Sequence, residues 1–155
     1  MPDAVRFTLY GQAYSKANSR RMVVLNGRAA SIKSKEALAF ERDALRQVPP
    51  AARQRIEGPV RVTLWMWYAS ERPDLDESLV LDVLQDRWKA GDEKTPRVLL
   101  QAGVYRNDRQ VREKHVYHGI DSLQPRVEVL VEPILAQQQA LELAPLRPVL
   151  ESAFA

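Results

Sequence analysis

The sequence predicts an α+β (mixed α/β) domain, a mixed β-sheet packed with helices, and three observations lead there. Apolar alternation of period two marks strands at Val5–Tyr10, Val60–Ala69, Val111–Tyr117 and Arg126–Glu132. Helical spacing of apolar residues runs from Ser34 to the Pro49-Pro50 pair and again from Glu77 to about Ala90. These segments interleave along the chain instead of segregating. The 155 residues suit one domain, at about 150 residues per domain.

Each element has a local reason. Val5-Arg6-Phe7-Thr8-Leu9-Tyr10 alternates and opens the sheet, and Gly11 to Arg21 reads as a polar, basic loop through Asn18 and Ser19. Asn26-Gly27 between two β-rich runs signals a hairpin, because both residues tolerate the positive φ of a type I′ turn. Ser34 is placed to cap a helix with Glu36 in its first turn, an apolar stripe at Ala37, Leu38, Phe40, Ala44 and Leu45, and a stop before Pro49. Val60 to Ala69 sets Val60, Val62, Leu64, Met66 and Tyr68 on one face and Arg61, Thr63, Trp65 and Trp67 on the other. Two tryptophans on the second face predict a central strand covered on both sides. A turn at Arg106–Arg109 precedes the last two strands, and residues 1–133 form the domain. The Ala-, Leu- and Gln-rich stretch 134–155 is expected to be a helical C-terminal tail.

Composition narrows the function classes. The chain has no cysteine and only His115 and His118, which removes disulfides, thiolate metal sites and a His-rich metal centre. No apolar run reaches the ~18 residues of a membrane span, and Met1-Pro2-Asp3 opens no secretory h-region, so a cytoplasmic protein with no membrane partner is expected. The net charge of +3 conceals an asymmetry. Ala4 to Lys35 carries seven basic residues and no acid, whereas Glu71 to Glu93 carries eight acids against three basic residues. That pairing suits a protein that holds phosphate with one part and a divalent cation with the other.

The acids have a chemically useful arrangement. Asp74 and Asp76 lie two apart in an extended segment between a strand and a helix, so both carboxylates face one side. Oxygen donors of this kind suit Mg²⁺ and Mn²⁺, and Mg²⁺ takes only one or two carboxylates, with water and phosphate filling its shell. Asp108 sits in a second turn between strands that sheet formation brings toward the first pair. Asp82 and Asp86 are four apart in the predicted helix, Asp86 as a solvated surface acid and Asp82 left open. Trp65 and Trp67 read as packing residues by their strand periodicity.

The string Arg72-Pro73-Asp74-Leu75-Asp76-Glu77-Ser78-Leu79, followed by Gly103-Val104-Tyr105-Arg106-Asn107-Asp108-Arg109-Gln110-Val111, resembles the RusA family of Holliday-junction resolvases, phage and prophage endodeoxyribonucleases. The likeness runs from about Phe7 to Val131. It implies a RusA-like, homodimeric, Mg²⁺-dependent nuclease (Mn²⁺ as an alternative ion) that nicks a four-way DNA junction symmetrically in recombination and repair. By the resemblance, Asp74, Asp76 and Asp108 are the catalytic, metal-binding acids. Lys16, Arg20, Arg21 and Lys114 are the DNA-binding residues, and Glu77, Asp82, Asn107, Glu113 and His118 are further candidates.

The chain departs from the family pattern in several places. Glu77 replaces an Asn, Asn107 replaces the first of two paired acids, and Val80 stands where the family has a functional Lys. The stretch Trp88–Ala102 is longer than usual. Setting Asp74 against the family's second Asp restores the spacing to Asp82 and puts Ser78 at the Lys position. Lys16, Lys89 and Lys114 are the candidates to supply a lysine from elsewhere. Two alternatives accompany the resolvase reading: a non-catalytic binder of branched DNA, and a flap or fork nuclease.

Overall fold

The computed structural model describes residues 3–16 and 20–135, with Arg20 described by its backbone alone. Asn18, Ser19, the Arg20 side chain and the expected tail from residue 136 onward lie outside the described residues. The protein is α+β, with, among the described residues, a mixed four-stranded sheet of order β1-β8-β4-β7, two helices and two two-stranded ribbons. In the main sheet β1 is Val5–Tyr10, β4 is Val60–Tyr68, β7 is Val111–Ile120 and β8 is Arg126–Pro133. β8 runs antiparallel to both β1 and β4, and β4 runs parallel to β7. A parallel pair needs a long crossover, and the segment between β4 and β7 carries most of the candidate residues.

One face of the sheet is the core. Val5, Phe7 and Leu9 of β1, the even positions from Val60 to Tyr68 of β4, and Val127, Val129 and Val131 of β8 are all buried there. Helix α1 (Lys35–Gln47) contributes Ala37, Phe40 and Ala44, and helix α2 (Ser78–Leu84) contributes Leu79, Val80, Val83 and Leu84. Ser34 caps α1 as its sequence predicts, its Oγ accepting the Ala37 N–H at 3.1 Å. The other face is not covered by a second layer among the described residues, contrary to the expectation from Trp65 and Trp67. Trp65 stacks on Tyr117 with centroids 6.0 Å apart and lies under Arg6, while Trp67 lies under Arg126 and donates to Glu128 at 3.1 Å. Neighbouring side chains shield these rings where a layer was expected.

The hairpin pairs β2 (Arg20–Leu25) with β3 (Arg28–Lys33) through Asn26 and Gly27, whose φ of 49° and 75° match the type I′ expectation. Helix α2 is shorter than expected, because Gln85 turns extended and Asp86 leaves the helical path. The chain then enters a second ribbon, β5 (Arg87–Lys89) against β6 (Val98–Gln101), so Trp88 lies on a strand and not on a helix. The cause is non-local. Asp86 is buried, its carboxylate taking Arg55 Nη2 at 2.8 Å and the Gly103 N–H at 2.8 Å. The expected solvated acid is therefore an internal one. Gly103 crosses so close that a Cβ would lie 2.3 Å from the Gln85 carbonyl carbon, which excludes any larger residue.

Candidate active site

The segment after β4 delivers Asp74 and Asp76 as the sequence predicts, and Asp76 organises the corner. Its Oδ1 accepts from the Ser78 amide at 2.9 Å and the Ser78 hydroxyl at 2.6 Å, and its Oδ2 accepts from Ser15 Oγ at 2.8 Å. Partial burial pushes the Asp76 carboxyl upward, but the donors from Ser78, Ser15 and the Lys16 amide outweigh it and hold the group below its ordinary range. Asp74 is exposed and faces solvent beside this corner. The Tyr68 hydroxyl sits among the acids, with burial and the charges of Asp76, Glu77 and Asp74 raising its pKa. His118 stacks on the Tyr68 ring at 5.2 Å, and Lys114 reaches Glu77 at 2.5 Å.

A second acidic group lies on the other side of the Ser15–Lys16 segment. Lys16 Nζ donates to Asp82 Oδ2 at 2.7 Å, and the charges of Asp108 and Glu41 add to Asp82 in raising its pKa. The backbone of Asp108 is fixed by Gln85, whose side chain accepts its N–H at 3.1 Å. Asp108 opens a short 3₁₀ turn capped by Asn107, which accepts the Arg109 N–H at 2.9 Å while Gln110 reaches back to the Asn107 amide at 2.9 Å. Asn107 thus serves the turn. Beneath the pair, burial and the charges of Asp108 and Asp82 raise the pKa of Tyr105, whose hydroxyl donates to the Leu81 carbonyl at 2.8 Å.

The candidates accordingly fall into two groups joined by one loop: Asp74, Asp76 and Glu77 around Tyr68, and Asp82 and Asp108 around Lys16. Glu113 stands apart, on Arg61 at 2.8 Å and His115 at 2.7 Å, and Arg21 is exposed on the hairpin. Val80 is fully buried, so the helix cannot present a lysine there. Lys89 is exposed on the second ribbon.

Among the described residues no three acids or histidines converge tightly enough to hold a metal ion by themselves. The donors nevertheless fit Mg²⁺ in type and number, since it needs only one or two carboxylates. A cationic ammonium already sits on Asp82 within the field of Asp108, which marks this as a place that stabilises positive charge.

A cleft of about 370 Å³ opens at this point, lined by Lys16, Lys33, Glu41, Asp82, Trp88 and Leu100 among others. Glu41 was not singled out by sequence. It is buried on α1 and receives Lys33 at 2.8 Å and Arg87 at 3.0 Å, tying the base of the hairpin to the second ribbon. Burial raises its pKa, and the two cations more than reverse that. Its spacing from Ala37 and Ala44 reads as one more position on the buried stripe, and that was the only signal available. No family model matches this chain, and no curated protein is similar enough to it to count as a match.

Proposed function

We propose that the chain is a metal-dependent endodeoxyribonuclease that resolves Holliday junctions or closely related branched DNA, acting as a homodimer in the cytoplasm. The observation that carries this reading is the seat of Lys16 on Asp82 within reach of the Asp108 charge. It supplies, from the basic loop, the lysine that α2 lacks at Val80. The sequence resemblance to the RusA family supports the same reading, as does the basic hairpin beside the cleft.

In this mechanism Asp82 and Asp108 would hold the Mg²⁺, in place of the Asp74, Asp76 and Asp108 set that the resemblance implies. When bound, the ion supplies Lewis acidity and a water of lowered pKa. Lys16 binds a non-bridging oxygen of the scissile phosphate and neutralises charge that develops on it. Asp76 touches no substrate; it positions Lys16 by fixing the loop through Ser15 and the Lys16 amide. Arg21, Arg28 and Lys114 bind flanking phosphates, contacts that orient DNA without reading its sequence. A two-fold dimer would present two such clefts to opposite strands of a junction.

The test is cleavage of a labelled four-way junction, a flap and a plain duplex in Mg²⁺, Mn²⁺ or EDTA, with wild type, Asp108→Asn and Asp76→Asn. Paired, metal-dependent nicks in the junction that are lost in Asp108→Asn are expected. Junction binding without cleavage in any metal would overturn the enzyme reading and leave a non-catalytic branched-DNA binder. Preferential flap cleavage would overturn the junction preference alone.

A further inference from the structure

The second ribbon carries a feature that metal-assisted cleavage does not use. Trp88 projects from β5 with 38% of its surface exposed and forms the wall between two clefts. On one side is the Lys16–Asp82 cleft. On the other is a cleft of about 340 Å³ lined by Arg55, Arg97, Arg106 and Asp86 together with Asn107 and Gln85. The Arg97 guanidinium lies 4.1 Å from the Trp88 ring centroid, a cation–π contact. Three arginines and one carboxylate line this cleft, and Asp86 is already neutralised by Arg55 at 2.8 Å. Arg106 pairs with Glu57, whose side chain is 70% exposed and lies outside this cleft.

We propose that this second cleft binds one unpaired nucleotide of branched DNA, its base stacked on the Trp88–Arg97 pair and its phosphate held by Arg106 and Arg97. The proposal rests on the DNA-cleaving reading and deepens it by naming the substrate feature that is recognised. A flat π surface covered by a guanidinium is the combination that takes a base of any sequence. The surplus of positive charge selects a polyanion over an apolar or acidic-poor partner. The volume is near the lower end of the range for small-ligand sites, about 300 Å³, which suits one nucleotide and not a duplex. Gln85 ties the two clefts together, since it lines both and also fixes the Asp108 amide. A nucleotide held there sets the register of the strand that crosses the Lys16 cleft. The preference for a branch point then follows because a base pair at the branch opens more easily than one inside a continuous duplex, which frees a nucleotide for the cleft.

The experiment uses a junction and a short oligothymidine, each bearing one 2-aminopurine, the junction's placed in the base pair that abuts the branch. Binding is measured in EDTA, and cleavage separately in Mg²⁺, for wild type, Trp88→Ala, Trp88→Phe and Arg97→Ala. In wild type, binding is expected to change the 2-aminopurine emission as the base stacks. Trp88→Ala should abolish that change and weaken binding about tenfold, with Trp88→Phe restoring most of it. Arg97→Ala should lower the slope of log affinity against log salt by about 0.7 on the single strand. Wild-type cleavage with unchanged binding and emission in Trp88→Ala and Arg97→Ala would overturn the nucleotide site and leave the nuclease reading standing. Trp88-dependent stacking without cleavage would sustain the site and overturn the nuclease. No binding to either DNA would overturn both.

Discussion

Asp82 and Asp86 stand one helical turn apart in the sequence and have opposite fates. Asp86 has a side chain only 1% exposed, with its charge matched by Arg55 and a backbone amide. Asp82 is 18% exposed at the side chain and meets a lysine that is itself 42% exposed, at the edge of an open cleft. The first is a closed contact, its carboxylate oxygens taken up by Arg55 and the Gly103 amide. The second is a contact that a phosphate or a cation can open. The difference teaches that exposure at the edge of a cleft, and not the mere presence of a carboxylate, decides whether an acid is open to a ligand.

The sharpest way to break this comparison is Asp86→Ala, which leaves Arg55 over an empty hole. A loss of about 3 kcal/mol of stability is expected, as for a buried pair deprived of one partner. At about 2–4 °C per kcal/mol for a chain of this size, thermal unfolding should fall by roughly 6–12 °C. An unfolding curve superimposable on wild type would show that Asp86 is not the internal strut described here.

Asp82→Asn should do the reverse. Junction cleavage is expected to fall about 100-fold, or about 2.7 kcal/mol at 1.36 kcal/mol per decade. The melting temperature should stay within about 4 °C, because a partly exposed pair is worth under about 1 kcal/mol. Equal losses of activity and stability would collapse the distinction between the two acids.

How far the sequence reached can be read from the same pair. The strands β1, β4 and β8, the hairpin and α1 announce themselves through local signals: alternation, Asn26-Gly27, the Ser34 cap and the two prolines. The Asp74-x-Asp76 corner was legible for the same reason. The end of α2 was not, since Gln85 turns away under the demands of Gly103, Arg55 and Tyr105, which are distant in sequence. Without that turn Trp88 looked like a helical residue and Asp86 like a surface acid. The meeting of Lys16 with Asp82 spans 66 positions, and no periodicity encodes a contact of that range.

A finer probe concerns Asp76. Its carboxyl is held below the ordinary value of 3.8, so the charged form contributes stability that is fully present above that value. The contribution fades as pH falls through the lowered folded-state pKa. Asp76→Asn should therefore cost about 1 kcal/mol at pH 7, and the gap from wild type should close as pH falls through the lowered folded-state pKa. Denaturant titrations at pH 7 and in acid check this, and a gap that widens on acidification would refute it. The smallest effect is expected from Lys114→Ala, which loosens an exposed pair with Glu77 and should change stability by less than about 0.5 kcal/mol. If Lys114 grips phosphate, its loss should still flatten the salt dependence of junction binding by about 0.9 in slope.

The pairing of β1 with β8 has a consequence for how the chain is made. Tyr10 meets Arg126 and Val5 meets Val131, so β1 must wait for a partner made about 116 residues or more later. At about 5–20 residues per second, that wait is on the order of ten seconds. During it Val5, Phe7 and Leu9 have no permanent partner on that side, while the hairpin and α1 can form from neighbouring residues alone. The main sheet therefore closes late, and the nascent protein passes through synthesis with its arms shaped before its core is sealed.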